Sequence, residues 1–538
     1  MSHCRAFLLR LRSIPTALVI AAAPVACRGS AADAGAGVGA GAGVVSAGSS
    51  AAAESIDGFV HRVVARLGDV PGLAVAVVRD TGAVYVGAAG YRDLEARLRA
   101  TAATPYYVAS STKSFTAMAA ALLAARGRLD LDAPLSRYLP DLRLPPARPA
   151  DSVTVRQLLT HTMGFANDAV VIRTAYTGEW TPRELIALLA DSRVTERSFE
   201  YDNLGYVVAG LVIDRVAGTS WKDVLARSLF APLGMTRTTA YMSRADHWGV
   251  AVPYWAGADS ALRRLPRSKR DETMHAAGGV VSTAQDLARW LEANLARGRL
   301  DGAQLLPANA VKEAHRLQVR LPREQRFGPF RRYGYALGWY WADYGGDTLL
   351  QQFGSFAGAR AHVSFMPGRR VGVAVLLNVS GPAADVADLV ATYAYDVVLG
   401  KPDVRARYDS LLDSAAAALH DAKVQLAAER VRLAERPSTL SLPASSYAGA
   451  YSGADLGTMC VGLRPGPRKD ALEIRLGPLV AAASPYTRPD AVRVEFEPGH
   501  GEVVRFFVSR RGVDSLEYAG YALRRTSTTS ASGGADCR

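Results

Sequence analysis

Ser110 and Lys113, in the stretch YYVASSTKSFTA, are a pair whose types and spacing can do chemistry. At i and i+3 of a starting helix their side chains share one face, a turn apart. A serine hydroxyl is a weak nucleophile until a neighbour removes its proton. An amine within hydrogen-bond reach can do that once burial and nearby positive charge lower its pKa from about 10.4. Backbone N–H groups at the helix start can also stabilise an oxyanion. A Ser-x-x-Lys spacing recurs by chance in many chains. Here lysine is scarce, seven in all among many arginines, and no other Ser-x-x-Lys occurs.

A second candidate is Tyr201-Asp202-Asn203 in FEYDNLGYVVAG. A phenol held near a cation can be kept deprotonated or can relay a proton to a leaving group, and the Asn203 amide can bind a substrate carbonyl. His161, in LLTHTMG, reads as a capping or core hydrogen-bonding residue rather than a base. No His-Glu-x-x-His occurs and the histidines are dispersed, so neither a metal nor another cofactor is expected. The absence of Gly-x-Ser-x-Gly argues against the α/β-hydrolase elbow. No cysteine lies between residues 28 and 459, which leaves the catalytic region without a disulfide or thiolate site. Cys460 and Cys537 read as unpaired thiols, pairing only if the tail folds back.

The elements that must position these groups follow from periodicity. Ile56, Phe59, Val63 and Val64 recur at helical spacing, and LAVAVVRDTGAVYVGAAG gives two apolar runs around a Thr81-Gly82 turn. The spacing predicts a helix from about Ser111 to Arg126, closed by Gly127. ARAHVSFMP and RVGVAVLLN form a second hairpin, followed by a helix over 384–399. Strands at both ends of this region enclose a long helical middle. That arrangement predicts a mixed sheet whose first and last strands meet, with a helical insertion beside it.

A chain of 538 residues, 49% of them hydrophobic, can bury large cores and is expected to hold two to four domains. The net charge of +13 comes from scattered arginines without interleaved aromatics, which excludes a nucleic-acid groove. Arg5, Arg10 and Arg12 precede the apolar stretch Ile14 to Ala26, too short for a membrane-spanning helix, so residues 1–27 read as an export signal. Pro24-Val25-Ala26-Cys27 is similar to a bacterial lipoprotein cleavage site, with Cys27 the residue to be lipidated; ordinary cleavage after a small residue stays open. The expected location is therefore periplasmic or membrane-anchored in a bacterial envelope, with membrane contact only through signal or lipid. Residues 28–53 are an Ala/Gly-rich tether, 54–400 the catalytic domain and 401–437 a connecting helix. Short apolar segments between Gly, Pro and Asp over 438–526 predict a small β-barrel or sandwich of five to eight strands, and 527–538 a flexible tail.

Ser110-x-x-Lys113 followed by Tyr201-x-Asn203 resembles the serine β-lactamase and penicillin-binding family. VTVRQLLTHTMGF at 153–165, LFAPLGMTRT at 229–238, AAGGVVSTAQDLARWL at 276–291 and YGYALGWYW at 333–341 extend the likeness in order, over roughly 55–400. The resemblance implies an α/β (α+β) fold, with a central antiparallel sheet flanked by helices and an all-helical lobe. It makes Ser110 the acylated residue, Lys113 and Tyr201 the proton shuttles and Asn203 the group that orients the acyl substrate. It places the oxyanion between the N–H groups of Ser110 and Ser355. The family's Lys/His-x-Gly element is Gln352-Phe353-Gly354 here, a neutral amide where relatives have an ionisable group facing the substrate carboxylate or the tyrosine. An ester, amide or lactone lacking that carboxylate fits better. Met163 falls where relatives usually have serine. Residues 438–526 are similar to the small lipocalin-like domain that follows such catalytic domains.

Two readings follow. One is an acyl-enzyme hydrolase acting on a small-molecule or peptide acyl substrate. The other is a catalytically silent binding or sensor protein of the cell envelope, suggested by Gln352 and Met163. The acyl group, leaving group and oligomeric state are not fixed by the sequence.

Overall fold

The computed structural model describes residues 47–80, 82–258, 261–464 and 471–526. The signal over 1–27 with Cys27, most of the tether and the tail over 527–538 lie outside the described residues. Helix α1 (Ala47–Leu67) starts inside the segment expected to be a tether. Alanine is the best helix former, and Ile56, Phe59, Val60 and Val63 are fully buried, so the core carries the helix back into the Ala-rich stretch.

Strands β1 (Gly72–Arg79), β2 (Gly82–Asp93) and β3 (Leu98–Arg99) precede a helical region. That region contains α2 (Thr112–Ala125), α3 (Leu204–Ala217), α4 (Trp221–Leu225) and α5 (Ala284–Leu295). The chain then returns as β4 (Val319–Phe327), β5 (Phe330–Tyr335), β6 (Tyr340–Tyr344), β7 (Asp347–Phe356), β8 (Ala359–Met366) and β9 (Val371–Leu377). Helices α6 (Val386–Val398) and α7 (Val404–Glu435) complete the unit. The nine strands run β4-β5-β6-β7-β8-β9-β1-β2-β3, and every pairing is antiparallel rather than mixed. The first and last long strands meet as expected, Leu73 opposite Leu377 and Arg79 opposite Val371.

The uninterrupted apolar run of β1 has a simple cause: both its faces are covered. Ala74, Ala76 and Val78 join the core that contains α2 and α5, while Leu73, Val75 and Val77 join the core under α1 and α6. On the second face, α6 anchors β8 through a buried polar network. Asp388 accepts from Arg360 at 3.1 Å and pairs with His362 at 2.6 Å; His362 meets Ser364, which meets Tyr395. Burial would raise the Asp388 carboxyl, but the Arg360 charge and the His362 hydrogen bond outweigh it and hold the carboxyl below its usual range.

The C-terminal unit is a nine-stranded, nearly closed antiparallel barrel over Gly449–Arg525, one strand beyond the expected range. Tyr447, Tyr451, Phe506 and Leu516 fill it, and Ala169 and Ile172 of the helical lobe enter the same core. Ala169 N donates to Tyr521 Oη at 3.1 Å, and Arg173 donates to the carbonyls of Ala454 and Asp455. The barrel is thus packed onto the catalytic unit. Cys460 is disulfide-bonded, which corrects the expectation of a free thiol there.

Arg360 lies opposite Ser355 in the β7–β8 register, so the α6 network also steadies the strand beside the candidate site. Asp388→Ala would leave two buried cationic or polar partners uncompensated. It is expected to cost about 3–5 kcal/mol, read by denaturant unfolding.

Candidate active site

The nucleophile's turn is strained and strapped. Ala109–Ser111 form a single 3₁₀ turn ahead of α2, with Ala109 at φ +45°, a region that residues with a Cβ seldom adopt. Three contacts hold it: Ser111 N donates to Val108 O at 3.1 Å, Val108 N donates to Val280 O at 3.0 Å, and Val280 N donates to Thr112 Oγ1 at 3.0 Å. From the other side β7 presses in at Gly354. A Cβ there would stand 1.9 Å from the Val108 carbonyl oxygen, so only glycine permits the approach. This contact brings the strand that carries Ser355 against the turn that carries Ser110.

Lys113 is fully buried. Its Nζ lies 3.1 Å from Ser110 Oγ, 2.7 Å from Asn203 Oδ1 and 3.0 Å from Ala277 O. Burial brings its pKa down to about 7, against a smaller opposing pull from the Asp202 carboxylate. An amine poised near neutrality and touching a serine hydroxyl can take its proton. With the Asn203 oxygen on Lys113, the amide N–H groups are left for a substrate carbonyl. Asp202, whose carboxyl burial pushes up to about 6, accepts from Leu204 N at 2.6 Å and so fixes the start of α3 behind Asn203.

Tyr201 stacks over the lysine, Nζ standing 4.8 Å from its ring centroid. Its hydroxyl is buried without a well-aligned hydrogen-bond partner. Desolvation drives its pKa well above 10, with Ser110 as a smaller opposing influence. The phenol is therefore protonated in the resting site, which favours the relay over the deprotonated alternative.

His161 is buried against Tyr201, ring centroids 4.5 Å apart. Asp202 N donates to its Nδ1 at 3.2 Å, so the proton sits on Nε2, which meets Tyr335 Oη at 3.2 Å. Burial lowers its pKa well below the ordinary value, so it is a neutral core hydrogen-bonding residue, as the sequence indicates. Gln352 is not presented as a substrate contact. It is fully buried, its Nε2 donating to Tyr335 Oη at 3.3 Å, so it backs the aromatic cluster behind Tyr201. Met163 is buried beside Gly205 in the helical core. The structure thus gathers Ser110, Lys113, Tyr201 and Asn203, brings Gly354 and Ser355 to the rim, and turns Gln352 inward.

Sequence reasoning missed a second buried lysine. Lys269 Nζ stands 3.9 Å over Phe356, the residue after Ser355, and 5.6 Å over Tyr107. Burial lowers its pKa to about 7, opposed by Glu497 of the barrel. The scarcity of lysine that singled out Lys113 could have flagged it. Among the described residues no group of three or more His, Cys, Asp or Glu is arranged to hold a metal.

Comparison with known proteins agrees with this fold. The family model described as Beta-lactamase matches residues 60–396, more than half of the chain. The chain is 25% identical over 321 residues to Protein flp of Staphylococcus aureus (strain COL), covering 58% of this chain and 60% of that protein. It is 28% identical over 323 residues to Penicillin-binding protein 4 of Amycolatopsis lactamdurans, covering 57% of this chain and 81% of that one. The chain thus spans less than two thirds of the length of the first of these. In fold it is similar to the octameric penicillin-binding protein homologue from Pyrococcus abyssi, with a TM-score of 0.55, 24% identity and coverage of 87% of this chain and 99% of that one. It is also similar to the D-amino acid amidase from Ochrobactrum anthropi SV3, with a TM-score of 0.53, 24% identity and coverage of 65% and 99%. With a family match over residues 60–396 and a fold shared with a penicillin-binding protein homologue, this chain belongs to the β-lactamase family.

Proposed function

We propose that this chain is a serine hydrolase that acts through an acyl-enzyme on an ester, amide or lactam. The observation that carries the reading is the buried Lys113 amine 3.1 Å from Ser110 Oγ, held in place by Asn203 and Ala277. Neutral Lys113 takes the Ser110 proton as Oγ bonds to the acyl carbonyl carbon. The carbonyl electrons move to the oxygen, which the N–H groups of Ser110 and Ser355 receive. As the carbon–leaving-group bond breaks, Tyr201 gives its proton to the leaving group and regains one from Lys113. Water then attacks the acyl-serine, its proton returning through the same pair to Ser110 Oγ.

The neutral, inward-turned Gln352 offers no cation to a substrate carboxylate. That favours amides and esters whose acyl portion ends without one, such as the amino acid amides that one structural relative's name denotes. The same feature supports the second reading, a silent envelope binding protein. We further propose export, to the periplasm or to a membrane through Cys27.

Intact-mass spectrometry after exposure to a fluorophosphonate, a β-lactam and an aryl ester decides between the two. The hydrolase reading expects a fluorophosphonate adduct and ester turnover, with Ser110→Ala losing turnover at least about 10³-fold. Absence of any adduct and of turnover would favour silent binding.

The pH profile gives a second check. Lys113 must be neutral to act, so kcat/KM should rise with pH through an apparent pKa near 7. Because the Asp202 charge raises that pKa, Asp202→Asn should move the limb to lower pH; a shift upward would contradict the assignment. Gly354→Ala, which forces β7 off the Val108 carbonyl, should slow acylation at least about tenfold and destabilise the fold by about 1–3 kcal/mol.

A further inference from the structure

A cavity of about 340 Å³ lies along the flank of α3, and none of Ser110, Lys113, Tyr201 and Asn203 lines it. Val207, Gly210, Leu211 and Asp214 form one wall, a single helical stripe at spacings of three and four residues. Trp221 and Lys222 of α4, Trp180, Tyr241 and the segment 271–276 close it. Gly210 lies on the order of 10 Å along the helix from Asn203, so the cavity is near the catalytic lysine but apart from it. Its size suits one small organic molecule.

The lining has a definite chemistry. Two indoles and a phenol supply flat apolar walls. The carboxylates of Asp214, Asp271 and Glu272 outnumber the one lining cation, Lys222, which is engaged with Asp271 O at 2.6 Å; Arg270, at the cavity edge, pairs with Glu272 at 3.6 Å. Asp214 accepts from Trp221 N through Oδ1, which leaves Oδ2 without a protein donor among the described hydrogen bonds. His275, also in the lining, is nine-tenths buried, and its Nδ1 has no partner. A net negative lining between aromatic faces favours a cation with an apolar body.

We propose that this cavity is a second ligand site for a primary organic ammonium, seated on Asp214 between Trp180 and Trp221, and that its occupancy acts on Lys113. The route is short. Ala276 lines the cavity and its carbonyl accepts from Thr116 Oγ1 at 2.7 Å, while the next carbonyl, Ala277, accepts from Lys113 Nζ at 3.0 Å. A ligand that shifts 275–277 shifts the amine that faces Ser110.

The test is calorimetric titration of the full chain with 2-phenylethylammonium, repeated on Ser110→Ala, Asp214→Asn and Trp180→Ala. Saturable binding is expected in the wild type, unchanged in Ser110→Ala and at least tenfold weaker in Asp214→Asn and Trp180→Ala. Should Asp214→Asn fail to fold, Trp180→Ala decides. No binding, or binding that neither cavity variant weakens, would overturn the site. With an ester substrate, saturating 2-phenylethylammonium should change kcat while leaving KM unaltered; purely competitive inhibition would overturn the coupling. The binding arm needs no turnover, so its failure and failure of the hydrolase reading are distinguishable.

Discussion

A fully buried amine is the constraint on which the site depends. A fully desolvated ammonium is costly unless it is paired or gives up its charge. Lys113 does some of each: it has three oxygen neighbours, one partly offsetting carboxylate nearby, and a pKa brought down to about 7. The small residues that follow it in α2, Ala117 and Ala119 to Ala121, are buried and let neighbouring elements approach closely. Burial thus sets both the chemistry and the packing of the same helix.

Around that amine the fold is arranged by close backbone approach. The turn at Ala109 is strained, and β7 at Gly354 fits only because no Cβ intervenes. Such a conformation persists where the surroundings over-determine it. Here the 276–280 strap, β7 and the polar anchor between α6 and β8 supply that restraint. The barrel adds its own contact by bringing Glu497 to the charged and aromatic cluster that includes Lys269, at the end of β7.

Much of this was legible in the chain. Ser110, Lys113, Tyr201 and Asn203 could be named because their types suit the chemistry and their order resembles the penicillin-binding family, and the apolar runs of β1 and β9 could be read as strands, while their burial on both faces emerges only from the packing. The sense in which the two predicted hairpins join was not legible from local pattern: only the pairing of β1 with β9 across a long separation decides it. The inward turn of Gln352 depends on Tyr335, and the Lys269–Glu497 relation joins residues from different units, so neither leaves a local signal. The Ala-rich start of α1 shows the limit of composition: the same residues suit a tether or a helix until a core beside them selects one.

The most direct test of the central claim is the titration of Lys113 itself by NMR in lysine-labelled protein, with Lys113→Arg and Lys269→Arg used to assign signals among only seven lysines. A Lys113 amine that titrates near pH 7 in the folded chain is the predicted result. An amine that keeps the ordinary value of about 10.4 would contradict the account, because it would leave Ser110 without a base at neutral pH.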